Sequence, residues 1–212
     1  MKYQTIFSTI IFRYLSKVIN SHFLSVTYNI FNKFLLHKLF RNLYIMEEIS
    51  KIVFREPNIE DATHIHALIN DSPPLDLNSL YFYLIQSHHF YETSIVAVFE
   101  SQLLGFVSSH FIPNMNQNTL FIWQVAVDKN SRKKGLATEM IKSILNRSIC
   151  KNIRYIETSV TEANLNSKQL FQGIASILDC PIKESKLFDK KLHFKGKHDS
   201  EILLKIGPIK KI

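Results

Sequence analysis

The sequence lacks several features that would assign it to a specialised class of protein. Only five of its 212 residues are glycine, which excludes collagen-like repeats and glycine-rich linkers. Its two cysteines are too few for a disulfide-stabilised scaffold, so we expect a reduced, cytoplasmic setting. The longest uncharged run near the amino terminus, residues 18–32, contains too many polar residues for a membrane span, so no stable membrane insertion is expected.

Patterns typical of metal sites and of covalent nucleophiles are also missing. His64 and His66 are two residues apart, which places them off a single helix face, and His88 and His89 are adjacent. The two cysteines form no C-x-x-C pair, and the sequence contains no G-x-S-x-G elbow. We therefore expect no bound metal and no requirement for an acyl-enzyme.

The positive charge is concentrated at the amino terminus. The first 46 residues contain six lysines and arginines and no acidic residue, whereas the following 166 residues carry a net charge of only +2. We therefore divide the chain into a basic extension, residues 1–45, and a domain, residues 46–212. The extension has the composition of a transit peptide or of a membrane-surface segment. The favoured interpretation is an over-extended reading frame with Met46 as the true start. A nucleic-acid partner is not expected, because the domain lacks a concentrated basic stripe.

The hydrophobic pattern of the domain predicts alternating strands and helices. Asn58 and Asp61 have the spacing of a capping box at the start of the first helix, which Pro73 and Pro74 end. Further helices are predicted over residues 78–88, 136–149 and 166–174, and strands over residues 51–55, 94–99, 103–111, 121–127, 153–160, 187–194 and 201–206. The order indicates a mixed α/β domain whose front half is antiparallel.

The most specific local feature is a basic turn between a strand and a helix. The apolar run from Val125 to Val127 leads into Arg132-Lys133-Lys134-Gly135, and an apolar helix follows. The start of a helix presents unpaired N–H groups and partial positive charge, which suit a diphosphate. Gly135 would let the backbone approach such a ligand closely. The plain alternative is an ordinary strand-to-helix turn, and the sequence matches neither the Walker A nor the GxGxxG pattern.

These residues resemble the GNAT acetyltransferase superfamily. Arg132-x-x-Gly135-x-Ala137 is similar to its acetyl-CoA motif, and residues 161–173 are similar to its second conserved block. The resemblance implies an α/β fold with a mixed, mostly antiparallel central sheet, flanked by helices and splayed where acetyl-CoA binds. The residues that it implies for cofactor binding are Val125, Val127, Arg132, Lys133, Lys134, Gly135, Leu136, Ala137, Asn164, Ser167 and Phe171. Backbone N–H groups near the Val125 to Val127 strand end would stabilise the oxyanion, and Asn164 would touch the pantetheine arm.

Three further segments narrow the resemblance to the diaminobutyrate acetyltransferases of ectoine biosynthesis. They are Leu-Asp-Leu-Asn-Ser at residues 75–79, Trp-Gln-Val-Ala-Val at residues 123–127, and His198-x-x-Glu201. The resemblance, over about residues 53–204, implies acetyl transfer to the γ-amine of L-2,4-diaminobutyrate and a homodimer. The alternatives are a GNAT enzyme for another small amine, a polyamine or a peptide N-terminus, or a sensor of acyl-CoA without turnover.

The resemblance also proposes roles on the acceptor side of the reaction. Asp76 and Glu201 are the candidates for binding the diamine and accepting its proton, although a carboxylate beside an amine also favours the unreactive ammonium. Without the resemblance, Asp76 is a loop carboxylate or a helix cap, and Glu201 is a charge on a strand surface. The other substrate-binding candidates are Asn78, Tyr81, Trp123 and His198. Trp123 could equally be a core aromatic, and His198 an exposed histidine.

One position departs from the pattern of the superfamily. Many GNAT enzymes have a tyrosine in the helix after the second block, where its hydroxyl can protonate the departing thiolate. Phe171 stands at that position and has no proton to donate. The thiolate therefore leaves without a general acid, or another hydroxyl such as that of Tyr81 takes the role.

Overall fold

In the computed structural model of the protein, residues 35–41, 45, 47–113 and 118–210 are described. The chain divides into two compact units, residues Met1–Glu48 and Ile49–Ile212. In the first unit, residues 35–41 and 47–48 are helical, and most of the expected basic extension lies outside the described residues. Among the helices described, none combines the length and the apolar character needed to cross a membrane.

The second unit consists of a central sheet with helices on both faces. Its strands are β1 (Val53–Arg55), β2 (Ile95–Phe99), β3 (Gln102–Phe111), β4 (Thr119–Val127), β5 (Tyr155–Thr161), β6 (Ile182–Phe188) and β7 (Glu201–Ile206). Its main helices are α1 (Ala62–Asn70), α2 (Leu80–His89), α3 (Leu136–Leu145) and α4 (Leu165–Ile177). The strands form one sheet in the order β1-β2-β3-β4-β5-β7-β6. Only β4 and β5 are paired in parallel, which confirms the predicted mixed, mostly antiparallel α/β fold.

The sheet opens between β4 and β5. The two strands pair only where Thr119 to Phe121 lies beside Tyr155 to Glu157. Beyond that point the remainder of β4 pairs only with β3, and the remainder of β5 pairs with β7. The strands therefore separate towards their carboxyl ends, and the predicted splay of the sheet is confirmed.

Each face of the sheet has its own hydrophobic core. On one face, α3 and α4 contribute buried residues such as Met140, Ile144 and Ile174. On the other face, α1 and α2 contribute Ile65 and Tyr83. Because both faces are covered, the carboxyl ends of β4 and β5 are held in fixed positions on either side of the gap.

The capping box predicted at the start of the first helix is present. The N–H group of Asp61 donates to Asn58 Oδ1 at 3.0 Å, and the N–H group of Asn58 donates to Asp61 Oδ2 at 2.8 Å. Asp61 also accepts from the Arg55 guanidinium, with Nη1 and Oδ2 separated by 2.6 Å. The cap therefore joins the first helical turn to the end of β1.

The prediction for the sixth strand is wrong. A strand was expected over residues 187–194, but β6 ends at Phe188 and a run of turns follows. Asp189 is the physical reason, because its Oδ1 accepts the N–H groups of Lys191 and Leu192 at 2.8 and 3.1 Å. These local bonds compete with the sheet for the backbone donors and end the strand.

Candidate active site

The basic turn after β4 is held in shape by its own side chains and by left-handed backbone conformations. Asp128 Oδ1 accepts the N–H group of Asn130 at 2.9 Å. Lys133 and Gly135 have positive φ angles, of 62° and 85°. A Cβ atom at Gly135 would meet no protein atom within 4 Å, so the chain itself needs glycine there for its backbone conformation. That open space leaves room for a ligand to approach the backbone.

Helix α3 begins with its N–H groups directed towards this turn. The first helical hydrogen bond runs from the N–H group of Glu139 to the carbonyl oxygen of Gly135, at 3.1 Å. The N–H groups that precede Glu139 in the helix therefore lie outside the helical ladder and remain donors at the positive end of the helix dipole. An anionic diphosphate is the complementary ligand.

A cavity of about 380 Å³ lies where the sheet opens. Among the predicted cofactor residues, those that line it are Val125, Val127, Arg132, Lys133, Gly135, Leu136, Ala137, Asn164 and Ser167. Lys134 and Phe171 were also predicted to bind the cofactor but do not line it. The cavity is therefore bounded by the turn, the start of α3 and the start of α4.

The sequence prediction missed one wall of this cavity. Ser72, Pro73, Pro74 and Leu75 line it from the loop between α1 and α2. The double proline predicts the end of a helix, and its two fixed φ angles also make it a rigid wall. Nothing in the local pattern indicated that this loop reaches the turn after β4.

Arg132 connects that loop to the turn. Its Nε donates to the carbonyl oxygen of Val127 at 2.9 Å, and its Nη2 donates to Ser72 Oγ at 3.2 Å. The guanidinium therefore holds two walls of the cavity together and also contributes positive charge to it. The predicted role of Arg132 was electrostatic, and its bracing contacts are a finding of the structure.

Helix α4 places its first residues on the opposite side of the opening. Asn164 caps the helix, since its Oδ1 accepts the N–H group of Ser167 at 3.1 Å. Leu170 lines the cavity, whereas Phe171 is only 2% exposed and packs into the core beneath α4. A tyrosine hydroxyl at position 171 would therefore be directed into apolar surroundings rather than into the cavity.

On the acceptor side, the structure brings together two predicted carboxylates that are far apart in sequence. His198 lies between them, with Nε2 3.6 Å from Asp76 Oδ2 and Nδ1 3.9 Å from Glu201 Oε1. The Asp76 side chain is 82% exposed and that of Glu201 only 16%. Glu201 begins β7 and pairs with Thr161, the last residue of β5, so it stands at the carboxyl-end edge of the sheet opening.

The charge state of His198 is set by its neighbours. Its Nδ1 lies 2.7 Å from the carbonyl oxygen of Asp199, and because a carbonyl only accepts, Nδ1 carries a proton. This hydrogen bond, together with the nearby Asp76 and Glu201 carboxylates, raises the pKa of His198 above its ordinary value. The imidazole of His198 therefore lies between the two carboxylates and is more readily protonated than an ordinary histidine.

Trp123 lies at an irregularity in β4. The register against β3 shifts so that Ser108 pairs with Gln124 and Ser109 with Ile122, which leaves Trp123 as the extra residue. Its side chain is 47% exposed, and its ring lies 4.9 Å from that of Phe82. The sequence could not distinguish this arrangement from a core aromatic.

The two tyrosines of α2 have different environments. Tyr81 is 71% exposed, whereas Tyr83 is completely buried. The Tyr83 hydroxyl accepts the N–H group of Asn78 at 3.3 Å and lies 3.4 Å from Gln124 Oε1. Of the acceptor-side candidates, Asn78 therefore contacts a core tyrosine through its backbone, and Tyr81 faces away from the core.

Other titratable clusters do not compete with this site. Within the described ranges, no group of three or more His, Cys, Asp or Glu side chains is arranged to hold a metal ion. Burial raises the pKa of the Cys150 thiol to about 11, so this thiol is protonated and weakly nucleophilic at neutral pH. Cys180 is a second free thiol and lines a separate surface depression.

Comparison with known proteins agrees with this geometry. The sequence model of the Acetyltransferase (GNAT) family matches residues 62–174. The L-2,4-diaminobutyric acid acetyltransferase of Methylotuvimicrobium alcaliphilum is 45% identical over 161 residues, which cover 76% of this chain and 93% of the relative. The enzyme of the same name from Vibrio parahaemolyticus is 43% identical over 160 residues, which cover 76% of this chain and 87% of that enzyme.

A solved structure is similar over the same region. It is the diaminobutyrate acetyltransferase from Paenibacillus lautus in complex with its substrate L-2,4-diaminobutyric acid and coenzyme A, with a TM-score of 0.71 and 35% sequence identity. The match covers 76% of this chain and 97% of that structure. On this evidence the chain belongs to the L-2,4-diaminobutyric acid acetyltransferases, within the GNAT acetyltransferase family.

Proposed function

We propose that this protein transfers the acetyl group of acetyl-CoA to the γ-amine of L-2,4-diaminobutyrate, giving γ-N-acetyl-2,4-diaminobutyrate for ectoine synthesis. The observation that carries the proposal is the convergence of Asp76 and Glu201 beside the opening between β4 and β5. A diphosphate-binding turn alone suits any acetyl-CoA enzyme. A pair of carboxylates next to it specifies a cationic, amine-bearing acceptor.

The chain's residues fit acetyl-CoA as the acetyl donor. The N–H groups at the start of α3 and the cations Arg132 and Lys133 suit the diphosphate. The cavity continues past Val125 and Val127 to the first turn of α4, a path that suits an extended pantetheine arm. Backbone N–H groups near Val125 are the proposed donors to the oxyanion that develops as the amine attacks.

The reaction is a direct substitution at the thioester carbonyl. The neutral γ-amine attacks the carbonyl carbon, the new C–N bond forms, and the C–S bond breaks with release of the CoA thiolate. Much of the rate enhancement comes from holding the amine and the thioester side by side. No protein nucleophile is needed, in keeping with the high pKa of Cys150.

The proton of the attacking amine passes to the carboxylate and imidazole cluster. Glu201 is the preferred acceptor, because it is the more enclosed of the two carboxylates and begins β7 beside the end of β5. Asp76 is exposed and suited to capturing the ammonium form of the substrate. His198 lies between the two carboxylates, and its Nε2, on the Asp76 side, can accept a proton when the ring is neutral.

Departure of the thiolate needs no general acid from α4. Phe171 has no hydroxyl and is enclosed in the core. The CoA thiol has an ordinary thiol pKa, so its thiolate is a stable leaving group near neutral pH. Tyr81 remains a candidate proton donor because its side chain is exposed.

The test is a thiol-release assay on the purified full chain with acetyl-CoA and a panel of amines: L-2,4-diaminobutyrate, ornithine, lysine and spermidine. We expect kcat/KM for diaminobutyrate to exceed that for the other amines by at least about tenfold, with acetylation on the γ-nitrogen established by NMR of the product. A preference for spermidine, or CoA binding without turnover of any amine, would refute the proposal.

We further propose a cytoplasmic homodimer whose catalytic domain is residues 46–212, with residues 1–45 dispensable for the reaction. The two free thiols and the use of acetyl-CoA support a reduced, cytoplasmic location. β6 lies at the edge of the sheet with one side unpaired by any described strand, so it offers a surface for a second copy. Light scattering on a size-exclusion column tests the dimer, and a single-copy mass would contradict it.

A further inference from the structure

Gln124 is a buried polar residue that belongs neither to the proposed acetyl-CoA site nor to the group formed by Asp76, His198 and Glu201. It is only 4% exposed, and it follows the bulged residue Trp123 in β4. Burying an amide is costly unless both of its ends find partners. The identity of those partners therefore indicates what the residue does.

The two ends of the Gln124 amide connect the core to the loop that carries Asp76. Nε2 donates to the carbonyl oxygen of Asp76 at 2.8 Å. Oε1 accepts from the Tyr83 hydroxyl at 3.4 Å. The Tyr83 hydroxyl also accepts the N–H group of Asn78 at 3.3 Å. The backbone on both sides of residue 77 is thus attached to one buried pair of side chains.

The Tyr83 side of this connection is rigid. Its ring is completely buried and meets Phe82 and Phe106 edge to face, at centroid distances of 5.2 and 6.5 Å. The backbone N–H group of Gln124 donates to Ser108 Oγ at 3.2 Å, which fixes the strand at the bulge. Gln124 therefore fixes the backbone of Asp76 relative to the hydrophobic core.

The carboxylate of Asp76 has little else to hold it in place. Its side chain is 82% exposed, so packing does not fix where the carboxylate lies. Its distance of 3.6 Å from His198 Nε2 is longer than a hydrogen bond. The backbone attachment is therefore the main restraint on where this carboxylate meets a substrate.

We infer that Gln124, braced by Tyr83, is a positioning residue for the acceptor substrate, because its amide holds the backbone carbonyl of Asp76. Gln124 also directly precedes Val125, whose N–H group is a proposed donor to the oxyanion. One short segment of β4 therefore sets the distance between the acetyl carbonyl and the carboxylate that captures the amine. This inference rests on the proposed function, since it assigns Asp76 to the diamine.

The test compares Gln124→Met with the wild-type full chain, because methionine keeps the volume and removes both polar ends. With saturating acetyl-CoA, we expect kcat/KM for diaminobutyrate to fall about tenfold through a higher KM, because the hydrogen bond that holds the Asp76 backbone and the one that braces it are both lost. The Kd for acetyl-CoA, measured by calorimetry, should change less than about twofold. An unchanged KM, or an equal loss of acetyl-CoA affinity, overturns the inference.

A double-mutant cycle separates positioning from general damage. If Gln124 acts through Asp76, Gln124→Met lowers kcat/KM by less than about twofold in an Asp76→Asn background, since that background has already lost the charge being positioned. A full tenfold further loss would show that Gln124 does not act through Asp76. Asn58→Ala is the matched control: it removes a helix cap and lowers the Tm, but it should leave KM unchanged.

A second variant covers the case in which Gln124→Met does not fold. Tyr83→Phe removes only the hydroxyl that braces the amide, and we expect it to raise the KM for diaminobutyrate about threefold. If it folds and KM is unchanged, the inference is also overturned. Activity of the wild type on diaminobutyrate is measured first, so a failure of the proposed function is recognised separately from a failure of this inference.

Discussion

The basic turn after β4 lies in one stretch of chain, whereas the acceptor side is assembled from two stretches that are far apart in sequence. Residues 125–137 supply most of the turn, and much of their contribution is backbone: left-handed φ angles and N–H groups at a helix start. The acceptor side uses charged side chains at Asp76, His198 and Glu201, which come from two loops and the start of β7. Recognition by backbone groups, as in the turn, therefore depends on local conformation. Recognition by side chains, as on the acceptor side, depends on how distant segments pack together.

This difference predicts which kind of substitution damages which substrate. Changes in backbone conformation should weaken acetyl-CoA binding and spare the amine, whereas isosteric changes of charge should do the opposite. A residue that contacts both regions should affect both substrates.

The largest effect is expected for Glu201→Gln, which removes the proposed proton acceptor without changing the side chain's size. We expect kcat/KM for diaminobutyrate to fall on the order of 100- to 1,000-fold, as for the loss of a general base. Steady-state kinetics measure the loss, and calorimetry should find the Kd for CoA unchanged. A fall of less than about threefold would assign the proton to another group.

Gly135→Val tests the cofactor side alone. A β-branched residue at a φ of 85° is strained, and its side chain would occupy the open space in front of the α3 N–H groups. We expect the Kd for acetyl-CoA to rise about 50-fold. The new Cβ meets no protein atom within 4 Å, so the loss of stability comes from the backbone strain, and the Tm should fall by about 2–12 °C. Unaltered CoA affinity would contradict the location of the diphosphate.

Arg132→Ala tests a side chain that connects the basic turn to the loop in which Asp76 lies. It removes the contacts to Ser72 Oγ and to the carbonyl oxygen of Val127 as well as a positive charge. We expect the KM for acetyl-CoA to rise about tenfold and that for diaminobutyrate about threefold. Arg132→Lys keeps the charge but should reverse less than half of the rise in either KM, since a lysine lacks the paired donors of a guanidinium. Complete rescue by lysine would leave the bracing role without support.

His198→Gln tests the charge balance of the acceptor side. The pKa of His198 is raised, so its imidazolium persists to a higher pH than that of an ordinary histidine and competes with the cationic substrate for Asp76 and Glu201. In the wild type, KM for diaminobutyrate should therefore rise roughly three- to tenfold as the pH falls through this pKa. The KM of the variant should change less than that of the wild type between about pH 6 and pH 8. If its profile matches that of the wild type, His198 does not govern the pH dependence.

Deletion of residues 1–45 is expected to have the smallest effect. The family match and the site residues all lie beyond this segment. We therefore expect kcat/KM for both substrates to stay within about twofold of the full chain. A larger loss would assign a catalytic or assembly role to the extension, and the mass of the natively expressed protein would then show whether the segment is present.

Much of the fold follows from local signals. The Asn58 capping box, the β2–β3 hairpin and the apolar stripe of α3 were all predictable, because each depends on residues a few positions apart. The hairpin turn at Glu100 and Ser101 has positive φ angles of 45° and 68° without a glycine, and strand pairing on both sides supports it. The failure at β6 also has a local cause, the side-chain bonds of Asp189.

The site was predictable to a different extent on its two sides. Most of the residues predicted for the turn line one cavity, and they could be named from the sequence because they lie within one segment. The loop wall at residues 72–75, the bracing contacts of Arg132 and the amide of Gln124 were not, because each depends on a partner dozens of residues away. A buried glutamine between apolar neighbours in a strand was the one available signal for Gln124.

The sequence by itself determined a basic strand-to-helix turn, the elements on either side of it and the polar residue types available around it. Only the tertiary structure decided that Asp76, His198 and Glu201 meet at one edge of an opened sheet. The physical reason is range: capping, φ preference and helix dipoles act over a few residues, whereas the position of a carboxylate depends on how separate elements pack.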